Sequence, residues 1–282
     1  MNSAIQCLNS IPDIIKWIME QQPSSSHLNI IDVYISLVQL MWSGHHACVT
    51  PRELKQYLSR SSSIFSDYCQ KDSHEFMNSL LNAIETVDSN SFLINLFRIH
   101  TQSIATCNKC QHFDIIDEIT TFLPLPIPEF KFYDEKKVLL EDLIKDFCQE
   151  DELDGQYYCH KCKICQSARH RTIITQSLPR ALIIQLKRFP YDSTNRKIDT
   201  LVQYKLEHRN LLSNNDRYQL SAISMHSGSL AGGHYTTMAY NYRINKWYRF
   251  DDSYFEEIDS KKVLIPFIAR QAYILIYLKQ ND

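Results

Sequence analysis

Residues 232–252 read GGHYTTMAYNYRINKWYRFDD. Two glycines and a histidine open a β-branched, aromatic run; a polar turn interrupts it, and a second aromatic run ends on two aspartates. This pattern predicts a β-hairpin, with strands over 235–240 and 246–251 joined by the five residues NYRIN. Pairing Tyr240 with Lys246 sets His234 opposite Asp252; a one-residue slip substitutes Asp251, because neighbouring strand residues point to opposite faces. In either register the open end of the hairpin brings an imidazole to a carboxylate. Such a pair fixes the tautomer and steadies the imidazolium, which suits a histidine that takes a proton from a thiol or hydroxyl. An isolated His–Asp pair is more often a structural hydrogen bond, so the rest of the chain has to decide. Gly232 and Gly233 permit a close backbone approach, or a positive φ, just ahead of the histidine.

Outward from the hairpin, ALIIQLKRF (181–189), YQLSAISMHSG (218–228) and AYILIYL (272–278) also read as strands, so from residue 178 onward a mostly antiparallel sheet is expected. Residues 1–95 read as helical instead. Ala4, Ile5 and Leu8 share one face; Pro12 opens a second helix carrying Ile14, Ile15 and Ile18. IIDVYISLVQLMW is apolar nearly all round, as a buried helix is. TPRELKQYL offers Thr50 as N-cap with Pro51 in the first turn, and QKDSHEFMNSLLNAIETV turns Phe76, Leu80, Leu81 and Ile84 inward. Between these halves, IATCNKCQHFDIIDEITTFLPLPIP is β-branched with spaced prolines, and LLEDLIKDFCQEDEL reads as one more helix. The class is α+β.

A length of 282 residues suffices for a full core. The net charge of −2 disfavours a nucleic-acid-binding module, and no apolar run approaches the roughly 18 residues of a membrane span. Asp13 and Lys16 interrupt the first apolar stretch, unlike a signal peptide. The nine cysteines are odd in number and four stand in C-x-x-C pairs, which points to a reducing, intracellular compartment and a metal site. Cys107 with Cys110, and Cys159 with Cys162, form two knuckles separated by 48 residues. Together they offer four thiolates to one tetrahedral ion, for which Zn²⁺ is the usual occupant. Cys165, His112 and His160 break the symmetric pairing and are read as bystanders. Gln70, Asp72 and Glu75 gather at the start of a helix, where acidic residues favour the macrodipole.

These stretches together resemble the ubiquitin-specific proteases, papain-like cysteine peptidases that cleave ubiquitin from its conjugates. YQLSAISMHSGSLAGGHYTTMAY followed by KWYRFDDSYFEEI looks like that family's histidine box. LPRALIIQLKRF resembles the strand motif ahead of it, QKDSHEF is similar to its glutamine–aspartate box, and MNSAIQCLNSIP looks like the stretch after its nucleophile. The resemblance runs in order from residue 1 to about 278. It implies a papain-like fold with a helical thumb (1–95), zinc-bearing β fingers (96–177) and an antiparallel palm (178–282). It implies a deubiquitinase with His234 as base and Asp251, by preference over Asp252, as orienting carboxylate. Gln70, Asp72, Glu75 and Gly233 would bind substrate, the two carboxylates taking the arginine-bearing tail of ubiquitin. Structural zinc on Cys107, Cys110, Cys159 and Cys162 would hold fingers that grip ubiquitin. The expected partners are ubiquitin and ubiquitinated proteins, with no nucleic acid and no membrane insertion, for a monomer of cytoplasm or nucleus. Lys71 departs from the family pattern, which often has a second glutamine there.

The resemblance also places the nucleophilic cysteine two residues before the Met-Asn-Ser with which residues 1–282 begin. Cys7 is expected in the core of the first helix, and Cys69 is the remaining candidate thiol. The printed chain is therefore expected to bind ubiquitin without cleaving its conjugates. Its rival reading is a non-catalytic ubiquitin-binding relative. Asp72 and Glu75, at an exposed helix start, are expected to matter more to affinity than to folding.

Overall fold

The structure, a computed structural model, describes residues 1–22, 29–67, 69–88, 91–128, 137–190, 196–211, 216–229 and 232–280. The chain opens with helices α1 (Asn2–Leu8), α2 (Pro12–Glu20), α3 (Ile30–Trp42), α4 (Arg52–Ser61), α5 (Ser73–Val87) and α6 (Phe92–Asn95). Their apolar faces are those the spacing predicts: Ala4, Ile5 and Leu8; Ile14, Ile15 and Ile18; Phe76, Leu80, Leu81 and Ile84 are all buried. Helix α4 starts one residue late. Pro51, at φ −81° and ψ 50°, is its N-cap, and Thr50 contributes only a carbonyl to the Arg52 N–H at 2.9 Å.

Strands follow: β1 (Ile99–Cys107), β2 (Phe113–Thr120), β3 (Leu123–Pro126) and β4 (Lys137–Leu139), then helix α7 (Leu140–Phe147), β5 (Glu150–Cys159) and β6 (Ile164–Ile174). The expected single helix over 139–153 stops at Phe147, and the acidic residues after it begin β5. Cross-strand charge favours this: Glu150 and Glu152 face Arg171 and Arg169 of β6, and Arg169 reaches Glu150 at 3.3 Å. The chain continues through β7 (Ala181–Lys187), β8 (Leu201–Gln203), β9 (Glu207–Arg209), β10 (Arg217–Ser229), β11 (Gly232–Asn241), β12 (Lys246–Asp251) and β13 (Tyr254–Ile258). Helices α8 (Ser260–Val263) and α9 (Pro266–Gln271) precede β14 (Ala272–Lys279).

Among the described residues, a four-stranded sheet runs β2-β1-β6-β5, and a larger one runs β13-β12-β11-β10-β14-β7-β3 with β9 beside β10. Strand β3 lies between β1 and β6 in sequence yet closes the edge of the larger sheet, parallel to β7. Its two prolines cannot donate to a ladder, and an edge tolerates them. The larger sheet is covered on both faces. One core joins Ile183, Ile274, Ile276, Ala222 and Ala239 to the helices α1–α6; the other joins Leu182, Ile184, Leu275 and Ile223 to α7 and α9. Alternation along β7, and along β14 from Ile274 onward, sends neighbouring residues to opposite cores, which is why those strands read as continuous apolar runs. Arg188, the residue after β7, is fully buried. Its guanidinium donates to the carbonyls of Ala272, Ile198, Thr200 and Ala269, and burial lowers its pKa to about 10.

Candidate active site

Strands β11 and β12 pair with Tyr240 opposite Trp247 and Asn241 opposite Lys246. That register is one residue away from the one read off the sequence, and the loop is 242–245 rather than 241–245. Two contacts explain the slip. The rings of Tyr240 and Trp247 pack at a tilt of 51° with centroids 5.6 Å apart, and Asn245, at φ 56°, closes the turn while accepting the Tyr240 hydroxyl at 3.0 Å. His234 and Asp251 consequently share a face, and Nε2 of His234 lies 2.5 Å from Oδ1 of Asp251. Arg249 donates to the other Asp251 oxygen at 3.2 Å. Asp252 leaves the strand at φ 49° and accepts Asn2 Nδ2 at 2.7 Å, tying the start of α1 to the hairpin.

A cleft of about 400 Å³ opens here, lined by Met1, Asn2, Ser3, Cys69, Gln70 and His234, among others. Buried hydroxyls hold its walls together. Ser3 Oγ lies 2.8 Å from Ser224 Oγ on β10, Ser73 Oγ reaches the same oxygen at 3.2 Å, and Thr237 Oγ1 donates to Ser3. The first turns of α1 and α5 are thus fixed to β10 and β11, and the start of α1 lines the same cleft as His234. Cys7 lies inside that packing; burial pushes its thiol up to about 12, and it is no nucleophile. Cys69 is exposed on the cleft wall.

Gln70 Oε1 accepts the backbone N–H of Gly233 at 2.7 Å. Gly233 is a glycine because of contact rather than φ. A Cβ there would meet the Ser227 carbonyl and Nε2 of His226; across the strands a Cβ on Gly228, itself at φ 111°, would in turn meet the Gly233 Cα. Gly232 has open space around it. His226, buried beneath, packs against the rings of Phe189 and Tyr235. Burial, aided by the nearby Lys197 ammonium, lowers its pKa to about 4, so it is neutral. No sequence argument singled it out; a histidine inside the otherwise buried stretch of β10 was the available signal.

Asp72 caps α5, accepting the N–H groups of His74 and Glu75 at 2.6 and 3.3 Å. Its second oxygen accepts the Tyr273 hydroxyl at 2.6 Å, and burial plus this carboxylate push the phenol far up. Asp72 and Glu75 are half-buried, not exposed, and Asp72 is part of the folded framework. His74, held low by burial, meets Phe122 edge-on at 4.5 Å.

Far along the four-stranded sheet, the sulfurs of Cys107, Cys110, Cys159 and Cys162 all lie within 4.8 Å of one another, with Cys110 and Cys159 at 3.5 Å. A tetrahedral ion bound at about 2.3 Å requires sulfurs about 3.8 Å apart, so the four could hold a metal. The turns match: Gln111 and Lys163, each following the second cysteine, stand at φ 56° and 60°, and each donates its N–H back to the carbonyl of the first. No described helix is long and apolar enough to cross a membrane.

The chain is 27% identical over 322 residues to ubiquitin carboxyl-terminal hydrolase Usp2 of Drosophila melanogaster, covering 98% of this chain and 33% of the relative. It is 28% identical over 330 residues to ubiquitin carboxyl-terminal hydrolase 2 of Rattus norvegicus, covering 98% and 52%. The chain therefore spans about a third to a half of the length of these curated relatives. In fold it is similar to the structure of the SAGA Ubp8/Sgf11/Sus1/Sgf73 DUB module bound to ubiquitin aldehyde, with TM-score 0.78, 24% identity, and coverage of 100% of this chain and 67% of that one. The family model for ubiquitin carboxyl-terminal hydrolase matches residues 1–277, and the chain belongs to that family.

Proposed function

We propose that residues 1–282 form the ubiquitin-recognising region of a deubiquitinase working by Cys-His-Asp chemistry. The observation that carries this is the contact of His234 Nε2 with Asp251 Oδ1 at the edge of a cleft facing the start of α1. Asp251 holds the ring with Nε2 as donor, leaving Nδ1 to take the proton of a thiol at the N-terminal end of α1, ahead of Met1. A helix N-terminus favours the thiolate there. The thiolate adds to the carbonyl of the last glycine of the ubiquitin tail, and collapse breaks the C–N bond as Nδ1 protonates the leaving lysine amine. Water, deprotonated by the same nitrogen, then hydrolyses the thioester and frees ubiquitin as a carboxylate.

Gln70 fixes the Gly233 backbone beside the tail's path, and Asp72 and Glu75 offer acceptors to its guanidinium groups. Zinc on the four cysteines fits the sulfur spacing and the paired turns, and makes the four-stranded sheet a rigid finger. The division into thumb (1–95), fingers (96–177) and palm (178–282) goes with this reading, except that β3 and α7 pack with the palm sheet. The protomer would act alone on ubiquitin and ubiquitinated proteins, in cytoplasm or nucleus.

The test uses ubiquitin carrying a C-terminal fluorophore. Residues 1–282 are expected to bind it without turnover. Extension by an upstream segment that sets a cysteine two residues before Met1 is expected to give turnover, and His234→Ala in that extended chain to remove at least about 100-fold. Turnover by residues 1–282, abolished by Cys69→Ser, would move the nucleophile to Cys69. Extended-chain turnover indifferent to His234→Ala would end the Cys-His-Asp reading.

A further inference from the structure

Further along the β11–β12 hairpin from His234 and Asp251, toward its turn, lies a second cavity, of about 260 Å³, sharing no lining residue with the cleft. The end of α1, the end of α3 and the hairpin enclose it. Its walls are aromatic. Trp42 and Tyr242 face each other with centroids 6.3 Å apart, and Tyr248 and Phe250 stand at 6.3 Å from one another. Phe250 in turn stacks on Phe255 at 6.4 Å, and Phe255 is 61% exposed, so the wall extends outward as a shelf.

One polar group in that wall is incompletely satisfied. Asn9 is 6% exposed; its Nδ2 meets only the Met41 sulfur, at 3.4 Å, and its Oδ1 has no partner. A thioether is a weak acceptor and the terminal torsion of an asparagine is broad, so little holds the amide in place. Asn9 is itself a lining residue of the cavity, and a ligand donor that met its carbonyl oxygen would relieve an acceptor that is costly to leave unpaired.

We propose that this cavity is a second binding site, for a neutral aromatic group carrying one N–H or O–H donor, of which indole is the simplest case. The group is neutral because no acidic or basic side chain among the described residues lines the cavity, and the Arg243 guanidinium, 4.6 Å from the Trp42 ring centroid, already has that ring as its partner. It is flat because the walls are ring faces and edges, which accept offset or edge-on partners. It is small because the volume falls just below the roughly 300 Å³ at which pockets for drug-sized ligands begin. The site is wired to the cleft by covalent continuity. Phe250 precedes Asp251, and α1 has Asn9 at one end and Asn2, with its hold on Asp252, at the other.

Titration of residues 1–282 by NMR with indole and with 1-methylindole, which lacks the donor, tests this. Saturable binding of indole is expected below about 10 mM, with shifts centred on Trp42 and Tyr248. 1-Methylindole is expected to bind up to about tenfold more weakly. Asn9→Leu should erase the preference between the two, and Tyr242→Ala, on the hairpin loop, should weaken both by up to about tenfold. N-acetyltryptophanamide and a neutral tryptophan-bearing peptide separate the sources: tighter binding of the peptide assigns the site to a protein segment, tighter binding of free indole to a small molecule. No saturable binding of indole at about 10 mM overturns the proposal, as does binding that both substitutions leave unchanged.

Discussion

Asp72 accepts three hydrogen bonds from three residues, two from the first turn of α5 and one from Tyr273, 201 positions away. The acidic helix start was legible from residue order, because carboxylates before an apolar-periodic run cap helices. Tyr273 was not, since nothing local links a strand residue near one end of the chain to that cap. The consequence is a division of labour between the two carboxylates. Asp72→Ala should lower the unfolding free energy by about 2 kcal/mol, from a lost cap and a Tyr273 O–H left without its acceptor, measured by urea denaturation. Glu75→Gln should leave stability near that of the parent chain and lower ubiquitin affinity by roughly 1.5–3 kcal/mol. An Asp72→Ala protein as stable as the parent would show that the cap carries no weight.

At the scale of elements, the hairpin 232–252 was recognisable as two strands and a turn, but its register was not. Period-2 alternation fixes which residues share a face only once the loop length is known, and Asn245 shortened the loop by one. The four-cysteine cluster is the converse case. C-x-x-C spacing is a local property, so both knuckles were readable, and folding needed only to align the β1–β2 turn with the β5–β6 turn. Structural zinc in small peptides contributes on the order of 10–16 kcal/mol, so chelation should act strongly but locally. Purified protein should hold one zinc per chain. On its removal, amide protection is expected to fall in β1, β2, β5 and β6 while β10, β11 and β14 keep theirs. Protein without stoichiometric metal, or uniform loss of protection in both sheets, would contradict this.

Across the whole molecule, helices and larger sheet meet at a buried group of ionisable side chains. His226 lies among Phe189, Tyr235 and Lys197, and Tyr235 passes the contact on to Tyr273 and so to Asp72. Burial first, then Lys197, brings the imidazole pKa from 6.5 to about 4, while the charges of Asp72 and His234 act in opposite senses. Between those two values the unfolded chain binds the proton and the folded one does not. Stability is therefore complete above about pH 6.5 and falls as pH drops toward about 4, by up to about 3 kcal/mol from this residue. His74 and His208, also held low by burial, add to the same trend. Denaturation midpoints at pH 7 and pH 5 should differ less in His226→Phe than in the parent chain. Equal differences would mean that His226 is not the group being titrated.

Order along the chain determined what depends on neighbours a few residues apart: the apolar faces of the helices, the strands β7, β10, β11, β12 and β14, the paired knuckles, and a histidine followed by two aspartates. These are set by short-range periodicity, backbone preference and ligand spacing, which one sequence carries in full. Tertiary structure decided what depends on residues far apart. It chose Asp251 over Asp252 by a one-residue register, sent β3 across to the palm edge, and recruited Tyr273 to Asp72. It also set His226 beneath Gly233, where only a glycine fits, and left the buried carbonyl of Asn9, a residue lining an aromatic cavity, without a donor. Those outcomes follow from how two cores close on opposite faces of one sheet, and burial created by that closure has no signature in residue order.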